Sequence, residues 1–206
     1  MLIRHLMTDH PTAVSPDTPL SQAYEQMRDQ KFDCLPVLDR DGALVGIIQV
    51  TDIYEACMDL GRQVALTKSV GAFMVSPVVT IDLEAPVELA ASLMLKKDIP
   101  ALPVVDDGKL VGMVTEHEIF KSAAAMLGAG SGTHRLTLVV PDARGQLFRI
   151  AEIVKGLGLS ITSLATFHSD VLQQYKIVLR VHADVIEMLQ EALEQGGFKV
   201  LHSCID

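Results

Sequence analysis

Two stretches of this chain end an apolar run with a polar side chain and place a carboxylate three residues later. They are Gly46-Ile47-Ile48-Gln49-Val50-Thr51-Asp52 and Gly112-Met113-Val114-Thr115-Glu116-His117-Glu118. Two chemistries fit residues of these types. One is structural: Asp52 sits where an N-cap acid would, worth about 1 kcal/mol, Thr115 can cap a turn, and Glu118 is a first-turn acid that a helix dipole favours. The other is binding: a hydroxyl both donates and accepts, a carboxylate accepts, and His117 at a helix start can donate to a phosphate.

Other reactive residues do not assemble into a catalytic pattern. His117-Glu118 lacks the second histidine of a metalloprotease helix, and the chain carries neither a GxxxxGK phosphate loop nor a GxSxG elbow. Cys34, Cys57 and Cys204 are odd in number and widely spaced, which fits reduced thiols in a cytosolic chain and not a metal site. His5 and His10 read as solvated residues, and Met58, Met74, Met94, Met113 and Met126 as core filler. The expectation is a protein that is not an enzyme and has no catalytic cofactor or metal.

Composition narrows the partners. The 206 residues are 49% apolar and 21% charged, which suits one large or two small folded domains. Seventeen basic against 26 acidic residues give a net charge of −9, opposing the electrostatic term behind nucleic-acid affinity. Aromatic residues are 4% and tryptophan is absent, so base-stacking platforms are scarce, and direct nucleic-acid binding is not expected. No apolar run approaches the ~18 residues of a membrane span, and Met1–Met7 is too short for a signal peptide. A cytoplasmic location is expected.

The elements that position the two stretches come as an internal repeat. Residues 7–54 return as 74–120 at an offset of 66 or 67, with Pro19 matching Pro86, Leu35-Pro36-Val37 matching Leu102-Pro103-Val104, and Leu44-Val45-Gly46 matching Leu110-Val111-Gly112. Leu20, Ala23, Tyr24 and Met27 lie on one helix face, with Thr18 as N-cap and Pro19 at the first helical position; Val87, Ala90, Ala91 and Met94 repeat the spacing. Two short apolar runs around Asp39-Arg40-Asp41-Gly42, and again around Asp106-Asp107-Gly108-Lys109, predict β-hairpins. A helix closes each copy, from about Asp52 to Leu60 and from Glu116 to Met126. Each unit therefore reads βαββα.

This doubled pattern resembles a tandem pair of CBS domains, a Bateman module. The resemblance implies repeats at 1–66 and 67–126, packed pseudo-symmetrically, with clefts for an adenosyl ligand: AMP, ADP, ATP, NAD or S-adenosylmethionine. The family's nucleotide motif runs Gly, two apolar residues, Thr or Ser, two variable residues and Asp. Its hydroxyl and helix start face phosphate, and its acid accepts from a ribose diol. Each copy here is a partial match: the first keeps Asp52 but has Gln49 at the hydroxyl position, and the second keeps Thr115 but has Glu118 for the acid. The implied nucleotide-binding residues are Gly46, Thr51, Asp52, Gly112, Thr115, His117 and Glu118. Adenine is implied to lie against Cys34 and Ala101, with Thr12 and Val78 as backbone contacts.

After the second copy, Gly128-Ala129-Gly130-Ser131-Gly132-Thr133 follows a helix and precedes a strand. That is the wrong context for a dinucleotide loop, and residues 127–133 read as a flexible Gly-rich linker. Charge shifts across it. Residues 1–125 hold 10 basic and 18 acidic groups (net −8), and residues 134–206 hold 7 and 8 (net −1). Beyond the linker come a strand at Arg135–Val140, a helix with Leu147, Ile150, Ala151, Val154 and Leu157 on one face, strands at Ser160–Thr166 and Tyr175–Val181, a helix over Val185–Gln195, and a last strand at Phe198–Ser203. The order βαββαβ predicts a ferredoxin-like layer, so the whole chain is α+β.

Residues 138–164 resemble the opening of an ACT domain, with Asp142, Gly145 and Leu147 at its first turn. That resemblance implies a small ligand, often an amino acid, held around Gly145, Gln146 and Leu147 and near Ser160 and Ile161, or else a purely dimerising unit. Ser160 departs from the Asn of many amino-acid-binding relatives. The order CBS, CBS, ACT resembles bacterial regulators of the acetoin-utilisation type. Together these imply an allosteric sensor, expected as a homodimer that acts on an enzyme or regulator partner. The alternative is a ligand-free dimerisation scaffold that docks a catalytic partner.

Overall fold

The computed structural model describes residues 1–141, 143–169, 174–182 and 186–205. The chain divides into two compact units, Met1–Phe120 and Lys121–Asp206. Among the described residues, no helix is long and apolar enough to cross a membrane.

In the first unit, a short strand β1 (Thr8–Asp9) precedes helix α1 (Leu20–Gln30), the hairpin β2 (Cys34–Leu38) and β3 (Leu44–Gln49), and helix α2 (Val50–Leu60). After a one-turn helix α3 (Arg62–Ala65), the pattern returns as β4 (Ile81–Asp82), α4 (Val87–Lys97), β5 (Ala101–Asp106), β6 (Lys109–Thr115) and α5 (Glu116–Met126), the helix within which the unit ends. The predicted helix faces are the buried ones: Leu20, Ala23 and Met27 in α1, and Val87, Ala90 and Met94 in α4. Each helix starts one residue later than its sequence suggests. Pro19 and Pro86 are N-caps with extended backbone (ψ 143° and 147°), and the Thr18 hydroxyl accepts from Ser15 N–H at 3.0 Å instead of capping α1. Both helices end on a left-handed residue, Lys31 and Asp98. The first hairpin turns where expected: Asp39 Oδ1 accepts from the N–H groups of Asp41 and Ala43 at 3.0 and 2.8 Å, and Gly42 supplies φ 80°.

The repeats exchange their leading segments. Ile3, in a single 3₁₀ turn, is fully buried in the core of the second repeat with Leu102, Val104 and Val114. Its counterpart Val70 is buried in the core of the first with Leu35, Val37 and Ile48. The backbone repeats the exchange. Thr8 pairs with Met113 as Val75 bridges Ile47, and Val14 then pairs in parallel with Val37 as Ile81 does with Val104. Each leading segment thus runs from the other repeat's hairpin to its own. Thr12 and Val78 lie at the two crossings.

The second unit holds β7 (His134–Val140), α6 (Gln146–Gly156), β8 (Ser160–Ser169), β9 (Gln174–His182), α7 (Ile186–Gln195) and β10 (Lys199–Ile205). The sheet order is β10-β7-β9-β8 with every pair antiparallel, the ferredoxin-like arrangement. Its core joins Leu136, Leu138, Ile177 and Leu179 to Ile150, Val154, Leu189 and Leu193. The α6 face differs from expectation. Ile150, Ile153, Val154 and Leu157 form the inner stripe, whereas Leu147 is 47% exposed and Ala151 is exposed. Turning Ile153 inward against Gly196 covers more apolar area than Ala151 would. Val185, expected to open α7, lies outside the described residues. Within the Gly-rich stretch, Gly128, Gly130 and Gly132 take positive φ, Ser131 Oγ donates to Gly128 O at 2.6 Å, and Thr133 is fully buried. The glycines there serve a bonded turn.

Candidate functional site

The crossing of Thr12 opens a cleft of about 480 Å3 between the repeats. From the first repeat it takes Pro11 and Thr12 and the α1–β2 junction, Lys31-Phe32-Asp33-Cys34. From the second it takes Pro100 and Ala101 at the start of β5, Met113 and Thr115 at the end of β6, and Glu116-His117-Glu118 in the first turn of α5. Six residues singled out from the sequence therefore meet in one place: Thr12, Cys34, Ala101, Thr115, His117 and Glu118. The β6–α5 junction is held from within. Glu118 Oε2 accepts from Thr115 N–H at 2.9 Å and from the Thr115 hydroxyl. Across the cleft, the Thr12 hydroxyl donates to Gln30 Oε1 at 2.7 Å.

The pseudo-equivalent cleft, at the crossing of Val78, is about 60 Å3 and is lined by Gln49, Val78, Ile99, Pro100, Ala101 and Cys34 among others. Cys34 and Ala101 border both clefts. Burial, with Asp33 nearby as a lesser cause, pushes the Cys34 thiol up to about 12. Beside this narrow cleft, Asp52 Oδ2 accepts from Gln49 N–H at 2.7 Å. Asp52 is therefore a capping acid at the third helical position of α2 and not at its N-cap. Burial raises its carboxyl above the usual range, an effect opposed by that hydrogen bond and assisted by Glu55.

The other sequence-singled residues sit apart from these cavities. Gly46 and Gly112 are inside β3 and β6, where an added Cβ would drive into the Met74 and Met7 side chains. Thr51 is exposed on the first turn of α2. In the second unit, Gly145 is the left-handed N-cap of α6 (φ 85°), Gln146 and Leu147 form its first turn, and Ser160 and Ile161 begin β8 opposite His182 and Val181. Gly145, Leu147, Ser160 and Ile161 are exposed. Asp142 lies outside the described residues.

Of the cleft residues not singled out from the sequence, two bring chemistry of their own. Phe32, 39% exposed, offers an aromatic face, and Lys31 brings a cation. The available signal was positional: Phe32 is the aromatic residue nearest the start of the Leu-Pro-Val strand, at the place Ile99 takes in the second copy.

The CBS domain family matches residues 3–59 and 70–125, and the TTHA0829-like ACT domain matches residues 132–203. A homoserine O-acetyltransferase of Methanocorpusculum labreanum is 33% identical over 120 residues, which covers 58% of this chain and 23% of that protein. The chain thus spans about a quarter of the length of that curated relative. Among solved structures, CBSX2 in complex with AMP is 30% identical with a TM-score of 0.54, covering 60% of this chain and 96% of that one. The CBS domain pair of protein MJ0100, in complex with 5′-methylthioadenosine and S-adenosyl-L-methionine, is 27% identical with a TM-score of 0.55, covering 61% and 97%. A putative acetoin utilization protein of Vibrio cholerae is 25% identical with a TM-score of 0.56, covering 62% and 93%. Two repeats in register, clefts at their crossings and a ferredoxin-like sheet later in the chain agree with these matches: the chain belongs to the CBS domain family, carrying a tandem CBS pair followed by an ACT domain.

Proposed function

We propose that this protein is a regulatory sensor that binds an adenosyl ligand between its CBS repeats and transmits occupancy to a partner. The observation that carries the reading is the 480 Å3 cleft that gathers Thr12, Phe32, Cys34, Ala101, Thr115, His117 and Glu118. Its volume falls within the roughly 300–1,000 Å3 of small-molecule sites. The adenine stacks on Phe32 and lies over Cys34 and Ala101. The Glu118 carboxylate, whose Oε2 already takes both Thr115 donors, meets the ribose diol through Oε1. His117, in the first turn of α5, faces the tail of the ligand. The complexes of CBSX2 with AMP and of MJ0100 with methylthioadenosine and S-adenosylmethionine support this ligand class.

The ACT unit serves as a second small-molecule site or as a dimer contact, and the chain works as a homodimer. Large exposed apolar side chains support the second point: Tyr54 and Met58 on α2, Leu95 on α4 and Phe120 on α5 are 54%, 87%, 81% and 71% exposed. Ligand acts by linkage: it shifts the repeats toward the arrangement it binds more tightly, and partner affinity follows only through that difference.

The test is a thermal-shift panel of AMP, ATP, NAD and S-adenosylmethionine on the native protein and on Thr115→Ala. A ligand at about 100 times Kd adds roughly 2.7 kcal/mol. A shift of several degrees that the substitution removes is expected. A flat panel on folded protein would favour a ligand-free scaffold.

A further inference from the structure

Resting on that reading, we propose that each chain takes one adenosyl ligand, in the cleft bordered by Thr115–Glu118, because Gln49, Val78 and Ile99 have closed its pseudo-equivalent. The two clefts are built by the same exchange, so their residues can be compared position by position. Where the open cleft has Thr12, Phe32 and Thr115, the narrow one has Val78, Ile99 and Gln49. The replacements change what the cleft offers a nucleoside. Val78 and Gln49 take away two hydroxyls, and Gln49 adds length at the strand end. Ile99 replaces a flat ring by a branched side chain that cannot stack a base.

The volumes follow the residues. About 60 Å3 leaves room for a few water molecules, whereas about 480 Å3 is the size of a ligand site. Charge differs too. Lys31, Asp33, Glu116 and Glu118 border the open cleft, and no charged side chain borders the narrow one among the described residues. On this account Asp52, the better match to the family's acid, caps α2 beside a closed cleft. The substituted acid Glu118 serves the working one.

Isothermal titration of the full chain with AMP and with S-adenosylmethionine tests this. The expected result is a stoichiometry of one per chain. Thr12→Val with Thr115→Gln, which writes the narrow cleft's residues into the open one, should abolish binding. Phe32→Ala, at a partly exposed position where folding is not at stake, should weaken it about fivefold or more, the loss of one stacked base. Gln49→Thr should leave that first event unchanged. Two ligands per chain, or native affinity in both Phe32→Ala and Thr12→Val/Thr115→Gln, would overturn the one-cleft assignment while leaving the sensor reading intact. No heat with either ligand, on folded native protein, would overturn both.

Discussion

Glu118 joins an observed structural role to the binding role proposed for it, and two substitutions separate them. In the native protein Oε2 takes the Thr115 N–H at 2.9 Å together with the Thr115 hydroxyl, at a half-buried junction between β6 and α5. Glu118→Ala removes the acceptor and leaves these donors unmatched, at a cost of about 1–3 kcal/mol. At about 4 °C per kcal/mol that lowers Tm by roughly 4–12 °C. Glu118→Gln keeps a carbonyl oxygen of the same reach, so its stability cost should stay under about 1 kcal/mol. Ligand affinity should order differently. Hydrogen bonds to a charged acceptor are about twice as strong as neutral ones, so Glu118→Gln should still lose about 1–1.5 kcal/mol of binding, close to tenfold. Calorimetric melting and titration with AMP, on the native protein and both variants, measure the two quantities independently. The reasoning fails if Gln is as destabilising as Ala, or if Glu118→Gln binds with native affinity.

Three further outcomes are expected. Gly112→Ala should destabilise the first unit by about 1–3 kcal/mol, the usual cost of overpacking, because its Cβ would strike Met7; relief in Gly112→Ala/Met7→Ala, read by denaturant unfolding, would locate the clash. With its thiol held near 12, Cys34 should alkylate far more slowly at pH 8 than an ordinary cysteine in unfolded protein, since the thiolate is the reactive form; peptide mapping after iodoacetamide treatment checks this. Asp52 has a raised carboxyl, so the folded state holds its proton more tightly and this group's contribution to stability falls as pH rises through its titration range, above the usual carboxylate value. Across that window Asp52→Asn should gain stability relative to the native protein as pH increases, and a parallel pair of unfolding curves would refute the shift.

The parts of this fold that local pattern dictates were legible in the residues. Helix faces at Leu20/Ala23/Met27 and Val87/Ala90/Met94, hairpins around Asp39–Gly42 and Asp106–Lys109, and the βαββαβ order after Thr133 each follow from a period of 3.6 or 2 and from turn chemistry. The exchange of leading segments was not. Ile3 and Val70 need an apolar partner in either arrangement, and two repeats with the same apolar pattern offer similar cores, so periodicity cannot tell packing against its own copy from packing against the other. The same ambiguity hid the pairing of Thr12 with Thr115 in one cleft. Phe32 was missed because it belongs to no period: its role comes from standing at the end of α1 beside an exchanged strand. Leu147 misled for the opposite reason, since it fits the apolar spacing of α6 but lies off the stripe that Ile153 completes.

The exchange also explains how two partial motifs can complete one cleft. If each repeat packed its own leading segment, a cleft's hydroxyl, acid and first-strand residue would come from the same copy. Here Thr12 and Phe32 come from the first repeat, and Thr115 and Glu118 from the second, so changes at Gln49, Val78 and Ile99 fall on the other cleft and leave this one complete. A ligand held in it touches both repeats at once. Because Ile3 sits in the second core and Val70 in the first, any shift of one repeat relative to the other must also displace its exchanged segment, so a ligand in the proposed site would be coupled to the arrangement of the whole pair. Such coupling requires that ligand bind the two arrangements with different affinity. Contacts divided between repeats supply that difference, whereas contacts confined to one repeat would not.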